Sequence, residues 1–90
     1  MTLGVIKKDG SRQQFDREKL MKGIIRATQK TNVSFDDIER STNEVEKELR
    51  TADSVEVPSR EIGQQVAKRL KKIDKVAYIR FASVFKRFVD

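Results

Sequence analysis

The dipeptide Asp9-Gly10 constrains this chain more than any other feature. Asp-Gly between two strand-forming runs is a strong short-range hairpin signal, because glycine tolerates the positive φ that such turns need. It predicts a strand over residues 3–8, from Leu3 to Lys8, and a return strand over residues 11–15, from Ser11 to Phe15. On a flat first strand Leu3, Val5 and Lys7 share one face, and Gly4, Ile6 and Lys8 share the other. Asp16 follows at once and is placed to cap a helix. This strand, turn, strand and helix bring Lys7, Lys8 and Lys19 towards one small surface. Lys7 and Lys8 alternate faces, so both reach one ligand only if the sheet edge or the turn lets them.

The first helix is predicted to run to about Lys30. Its apolar positions Leu20, Ile24 and Ala27 lie beside Met21, Ile25 and Thr28, a two-column helical stripe. Ser34 opens a second helix, with Asp37 three residues on as a weak capping box. Ile38, Val45 and Leu49 carry its apolar face, Phe35 stands at its start, and its other face is acidic. This helix ends near residues 50–52. Ser54 to Val57 is a third strand, with Val55 and Val57 on one face. Pro58-Ser59 ends it, and Ser59 is expected to cap a third helix with the stripe Ile62, Val66, Leu70 and Ile73. Asp74 caps a fourth helix to about Phe88. That helix is apolar over much of its girth (Val76, Ala77, Ile79, Phe81, Ala82, Val84, Phe85, Phe88), so it belongs in a core or under a partner. The order is β-β-α-α-β-α-α. The implied class is α+β: three short strands in one small antiparallel or mixed sheet, packed on a four-helix cluster. With 90 residues and no repeat, low-complexity segment or linker, residues 1–90 are expected to form a single domain.

Composition narrows function by exclusion. There is no cysteine and no histidine. Thiolate metal sites, disulfides and His-assisted nucleophiles are therefore impossible within the chain. Carboxylates remain, but no pair of them has a chemical context, so the sequence argues against an enzyme. No apolar stretch reaches membrane-spanning length and no secretory signal is visible, which makes the cytoplasm the expected location. The net charge of +6 is unevenly spread. Residues 1–31 hold 8 basic against 3 acidic side chains, residues 32–57 hold 3 against 8, and residues 58–90 hold 9 against 3. Non-specific coating of nucleic acid needs no acidic middle third. Two basic ends converging on one anionic ligand fit the pattern better.

Several residues carry two readings each. Lys7, Lys8 and Lys19 are either ordinary solubilising lysines or an anion site. Lys19 lies in the first turn of a helix, where backbone amides and the dipole already favour an anion and disfavour a lysine. Asp16 is a cap, or an acceptor for a sugar hydroxyl or a base amine. Gly63 and Gly23, each costing its helix roughly 1 kcal/mol relative to alanine, imply close approach by a neighbour or a ligand, with helix packing the simpler reading. Tyr78 is a core tyrosine or a base-stacking one. Arg80 pairs with phosphate or with the acidic second helix. The Lys68-Arg69 and Lys71-Lys72 pairs read as a solvated face or as a nucleic-acid footprint. Neither a Gly-x-x-x-x-Gly-Lys nor a Gly-x-Gly-x-x-Gly loop is present.

Three segments, taken in order, resemble the ATP-cone, the allosteric nucleotide-binding domain of ribonucleotide reductases. They are Val5-Ile6-Lys7-Lys8-Asp9-Gly10 with Phe15-Asp16-Arg17-Glu18-Lys19-Leu20; Val57-Pro58-Ser59-Arg60-Glu61-Ile62-Gly63; and Asp74-Lys75-Val76-Ala77-Tyr78-Ile79-Arg80-Phe81-Ala82-Ser83-Val84-Phe85. The last looks most like the cone of the bacterial repressor that controls ribonucleotide reductase genes. That repressor carries a cysteine-rich zinc ribbon ahead of its cone, whereas this chain has no cysteine and resembles the cone alone, which puts independent DNA binding in doubt. The resemblance implies four helices capped by a three-stranded sheet, binding of ATP or dATP with Mg2+ on the phosphates, and no catalysis. Carried over by position, it implies nucleotide contacts from Val5, Lys7 and Lys8, from Asp16, Lys19 and Leu20, from Ser59, and from Tyr78 and Arg80. Implied partners are further copies of the cone, a ribonucleotide reductase, or a DNA-binding domain in a parent protein. A basic nucleic-acid-binding or assembly module of a transcription regulator is the alternative.

Overall fold

The computed structural model of the chain describes the backbone of residues 2–89 and the side chains of residues 2–85. The elements are β1 (Gly4–Ile6), β2 (Arg12–Gln14), α1 (Arg17–Ala27), α2 (Phe35–Thr51), β3 (Glu56–Pro58), α3 (Ser59–Ile73) and α4 (Lys75–Val89). Their order and α+β class are those expected from the sequence. Phe88 lies outside the described side chains.

The hairpin forms where Asp9-Gly10 places it. Gly10 has φ +87°, its amide donates to the Lys7 carbonyl at 2.9 Å, and the Lys7 amide donates to the Ser11 carbonyl at 2.8 Å. A type I turn followed by a left-handed glycine has this form. The strands are shorter than the pattern suggested, because the ladder stops at Ile6 and resumes at Arg12. β1 is the central strand. It pairs antiparallel with β2 and parallel with β3, with Val5 opposite both Gln13 and Val57. A mixed sheet follows from the connections: a tight turn joins β1 to β2, while two whole helices intervene before β3.

β3 also starts later than expected. Val55 is 60% exposed and outside the ladder, its carbonyl accepting the Gly4 amide at 2.9 Å, while Val57 is buried. The two valines therefore do not share a buried face.

Three of four predicted helix starts are capped as expected. Asp16 accepts the Lys19 amide at 3.2 Å, Ser34 Oγ accepts the Asp37 amide at 3.1 Å, and Asp74 accepts the Ala77 amide at 2.9 Å. The fourth is a correction. Pro58 is the residue that precedes α3, with no side-chain cap, and Ser59 is the first helical residue. Proline holds the extended φ that an N-cap requires, which moves the helix start one residue on. α1 ends at Ala27 rather than Lys30, because the Thr28 hydroxyl folds back onto the Ile24 and Ile25 carbonyls and Lys30 takes φ +59°.

The core lies between the sheet and the helices. Leu3, Val5, Phe15 and Val57 come from the sheet side, meeting Ile24, Val45, Leu49, Val66, Leu70 and Ala77. Ile24, Val45, Val66 and Leu70 are at most 1% exposed. Burying each such side chain contributes roughly 1.5–3 kcal/mol. Phe35, by contrast, is largely exposed at the start of α2. Arg69 also departs from the solvated-face reading: it reaches Glu44 and Glu48 of α2 at 3.2 and 2.8 Å.

Candidate functional site

A cavity of about 840 Å³ opens between the hairpin, α1, the first turn of α3, and α4. Its volume lies within the range of about 300–1,000 Å³ usual for small-molecule sites. Val5, Lys7, Lys8, Asp16, Lys19, Leu20 and Ser59, seven of the nine residues singled out from the sequence, line it.

The local structure explains how they converge. Val5 faces inward from β1 and is buried. The strand ends at Ile6, so Lys7 and Lys8 belong to the turn, and the bend removes the face alternation that would have parted them. Lys19 and Leu20 sit in the first turn of α1, directly after the Asp16 cap. Ser59 faces the cavity from the start of α3, a position it takes because it is helical rather than capping. Among the described residues, the ammonium groups of Lys7, Lys8 and Lys19 make no hydrogen bond or ion pair. A cluster of solvated cations beside the N-terminus of a helix is suited to an anion carrying several charges.

Asp9 tightens the turn. Its carboxylate accepts from the Ser11 hydroxyl at 2.6 Å and from the Ser11 amide at 2.9 Å. These bonds, hydroxyl first, and the charge of Lys7 hold its pKa below the ordinary aspartate value.

The cavity also has an apolar lining. Leu20, Ile62, Phe81 and Phe85 line it, and the rings of Phe81 and Phe85 stack with centroids 6.2 Å apart. From the sequence the two phenylalanines belong to a helix face meant for a core or a partner; their i, i+4 spacing on an apolar helix gave no signal of a ligand site. Gln13 and Gln14 also line the cavity and carried no signal, being neutral polar residues on a short exposed strand.

Tyr78 and Arg80 are not brought to this cavity. Tyr78 is half-buried and packs on the core, with the Lys71 ammonium 5.7 Å from its ring centre. Arg80 borders a smaller cavity of about 420 Å³ between α1 and α4. Its guanidinium donates to the Gln29 carbonyl at 2.5 Å and the Ala27 carbonyl at 3.4 Å, at the end of α1. It is thus spent on carbonyls that the helix terminus leaves unpaired, and not on the acidic second helix.

The two helical glycines divide. At Gly63 an added Cβ would lie 1.8–2.3 Å from ring atoms of Phe85, so any side chain there would force that ring to move. At Gly23 an added Cβ would meet no described atom within 4 Å, so no described neighbour requires glycine there. Gly23 borders both cavities.

No group of three or more His, Cys, Asp or Glu among the described residues is placed to hold a metal. Among the described residues, Asp9 and Asp16 are the carboxylates that line the cavity. Among the described residues no helix is long and apolar enough to cross a membrane.

Comparison with known proteins gives a concordant result. The family model described as the ATP cone domain matches residues 3–90. Similar proteins include the transcriptional repressor NrdR of Oceanobacillus iheyensis, 54% identical over 86 residues, covering 96% of this chain and 55% of that protein. That of Brevibacillus brevis is 44% identical over 86 residues, covering 96% and 54%. That of a Geobacillus species is 46% identical over 90 residues, covering 100% and 59%. The chain thus spans just over half the length of these relatives.

Proposed function

The chain belongs to the ATP-cone family, and we propose that it is a non-catalytic regulatory domain that binds ATP or dATP in the cavity between the hairpin, α1, α3 and α4. One observation carries this reading: three lysines with no hydrogen-bond or ion-pair partner among the described residues line a cavity that Leu20, Ile62, Phe81 and Phe85 line as well. Lys7, Lys8 and Lys19 hold the phosphates, and Mg2+ enters as their counter-ion. Asp16 and Ser59 offer an acceptor and a hydroxyl for the sugar. Val5 and Leu20 cover the ligand's apolar surface. Tyr78 and Arg80 act from outside, by packing α4 on the core and fixing the end of α1.

Nucleotide state then controls assembly. ATP and dATP differ by one hydroxyl, so they switch a protein only if that hydroxyl changes their relative affinity for two assembly states. Val76 and Ile79 on α4 are each more than half exposed, which supports a self-association face on that helix. The names of the relatives support a setting in transcriptional repression, here of ribonucleotide reductase genes, with a DNA-binding domain or the reductase as partner.

Calorimetry with Mg-ATP and Mg-dATP, combined with sizing of the apo and bound chain, tests the proposal. A charged hydrogen bond contributes roughly 1.5–3 kcal/mol, so Lys7→Ala and Lys19→Ala should each weaken binding about 10- to 100-fold. Absence of saturable binding by the unmodified chain would sink the reading. Binding to duplex DNA with a steep salt dependence shared evenly among many lysines would favour the nucleic-acid alternative.

A further inference from the structure

Among the aspartates of the chain, Asp9 is the one followed by glycine, and it stands fully solvated in the hairpin turn. An intramolecular reaction is open to such a pair. The Gly10 amide nitrogen attacks Cγ of the protonated Asp9 side chain and closes a five-membered succinimide, while its N–H proton and the carboxyl hydroxyl leave together as water. Water then reopens the ring at either carbonyl. Opening at one restores aspartate. Opening at the other routes the main chain through the side-chain carbonyl, which is isoaspartate. The net change is an isomerisation, and water is the sole co-reactant. Glycine carries no side chain to hinder the attack.

The closed turn holds both reactants back. The Gly10 amide donates to the Lys7 carbonyl at 2.9 Å, which ties up the nucleophile, and Gly10 is fixed at φ +87°. The Asp9 carboxylate is held from the other side, by the Ser11 hydroxyl at 2.6 Å and the Ser11 amide at 2.9 Å. Those bonds favour the ionised carboxylate, which has no hydroxyl to lose as water. Ser11 also closes the hairpin, its carbonyl accepting the Lys7 amide at 2.8 Å. Attack on Cγ therefore needs a local opening, in which the carboxyl leaves Ser11 and the Gly10 amide leaves Lys7. Ser11 binds both Asp9 and Lys7, so it is the residue on which that opening turns.

We propose that Asp9-Gly10 is a site of spontaneous isoaspartate formation guarded by Ser11, and that conversion there dismantles the lysine cluster at the cavity. Isoaspartate adds a methylene to the main chain between Lys8 and Gly10. The bonds between Lys7 and Gly10 and between Lys7 and Ser11 are set for a turn one atom shorter. That turn is what places Lys7 and Lys8 at the cavity. The consequence for anion affinity rests on the nucleotide-binding reading above, whereas the covalent step stands apart from it.

The test ages the full chain at neutral pH in heavy-oxygen water, beside Ser11→Ala, Ser11→Thr, Asp9→Glu and the free peptide of residues 5–15. Peptide mapping by mass spectrometry reads isoaspartate and the oxygen label that succinimide hydrolysis leaves. The free peptide, with no closed turn, should convert fastest. Ser11→Ala should convert roughly 2- to 10-fold faster than the unmodified chain, the factor for losing one hydrogen bond from a locally opening turn. Ser11→Thr restores the hydroxyl and should return to the unmodified rate. Asp9→Glu would need a six-membered ring and should stay unconverted. The isomerised chain, purified from the aged sample, should bind inorganic tripolyphosphate about tenfold or more weakly than the fresh chain. Ser11→Ala converting no faster than the unmodified chain overturns the guard, as does an unmodified chain that converts as fast as the peptide. Isoaspartate without the oxygen label overturns the succinimide route. Unchanged tripolyphosphate affinity after conversion overturns the effect on the lysine cluster. A fresh chain that binds neither tripolyphosphate nor ATP defeats the nucleotide reading before any ageing, and the conversion rates still decide the guard.

Discussion

The two sides of the molecule contain the same ingredients and use them differently. Where α2 packs on α3, basic side chains meet acids. Arg69 reaches Glu48 and Glu44 of α2 and folds back onto Gln65 of its own helix. Arg17 reaches Glu46 of α2 at 3.3 Å, and Arg50 pairs with Glu46 at 3.1 Å while lying over the ring of Phe15. Where the hairpin meets α1 and α4, the lysines have no such partners among the described residues. Several acids of α2 are thus paired on one side, while the lysines at the cavity are left without such partners among the described residues. The closed side gives the fold its stability, whereas the open side keeps a cluster of cations whose purpose the fold alone does not supply.

The largest effect should come from the closed side. Leu70 is 1% exposed. Leu70→Ala should cost roughly 2–5 kcal/mol through lost burial and the cavity left behind. Chemical denaturation would show it, and nucleotide affinity measured where the variant remains folded should be unchanged. Lys19→Ala should give the reverse pattern. Its stability should be unchanged or slightly raised, because a cation leaves the positive end of α1, while nucleotide affinity falls. A stability loss in Lys19→Ala comparable with that of Leu70→Ala would erase the distinction between the two sides.

Much of this was legible in the sequence, for physical reasons. Helices α1 to α4 follow from apolar stripes of helical period, and their starts at Asp16, Ser34 and Asp74 follow from side chains that can accept an amide hydrogen bond. The hairpin follows from a glycine that can take positive φ. The convergence of Lys7 and Lys8 was legible only as a condition on the turn, because alternation along a strand separates them until the turn begins at Lys7, and strand ends depend on pairing partners distant in sequence. Ser59 was assigned as a cap because serine commonly is one; the preceding proline took that place. Gly23 and Gly63 look alike in sequence and differ only in what lies opposite each, which is a tertiary fact. Arg69 sits among other cations and Arg80 between apolar residues, and only the packed structure decides that one meets glutamates and the other a helix end.

A smaller effect sharpens the comparison. Arg69→Met keeps most of the apolar stem and removes the charge. Glu44 and Glu48 remain about half exposed, so water takes over their solvation. The expected loss is about 1 kcal/mol or less, shrinking further in high salt. A loss several times larger would mean that the ion network, and not the apolar core beneath it, holds α2 to α3. Nucleotide binding should not change, since Arg69 is remote from the cavity lining.

The smallest effect belongs to Asp9, the acid of the open side. Its pKa is lowered in the folded chain by the Ser11 hydroxyl, then the Ser11 amide, with a lesser part from Lys7. A lowered folded pKa means that the unfolded chain takes up the proton more readily. The contribution is therefore complete above the unfolded value of about 3.9 and is lost as pH falls through the lower folded value. Asp9 is fully solvated, so the effect on stability is slight. Asp9→Ala should melt slightly below the unmodified chain at pH 7, and the two should converge as the pH is taken below about 4. The comparison with Gly10→Ala separates charge from geometry. Gly10 holds φ +87°, so its replacement strains the turn at every pH, and its deficit should not close on acidification. If the Asp9→Ala deficit likewise persisted at low pH, the turn would be held by the shape of residues 7–11 and not by the carboxylate. The placement of Lys7 and Lys8 at the cavity would then rest on Gly10 alone.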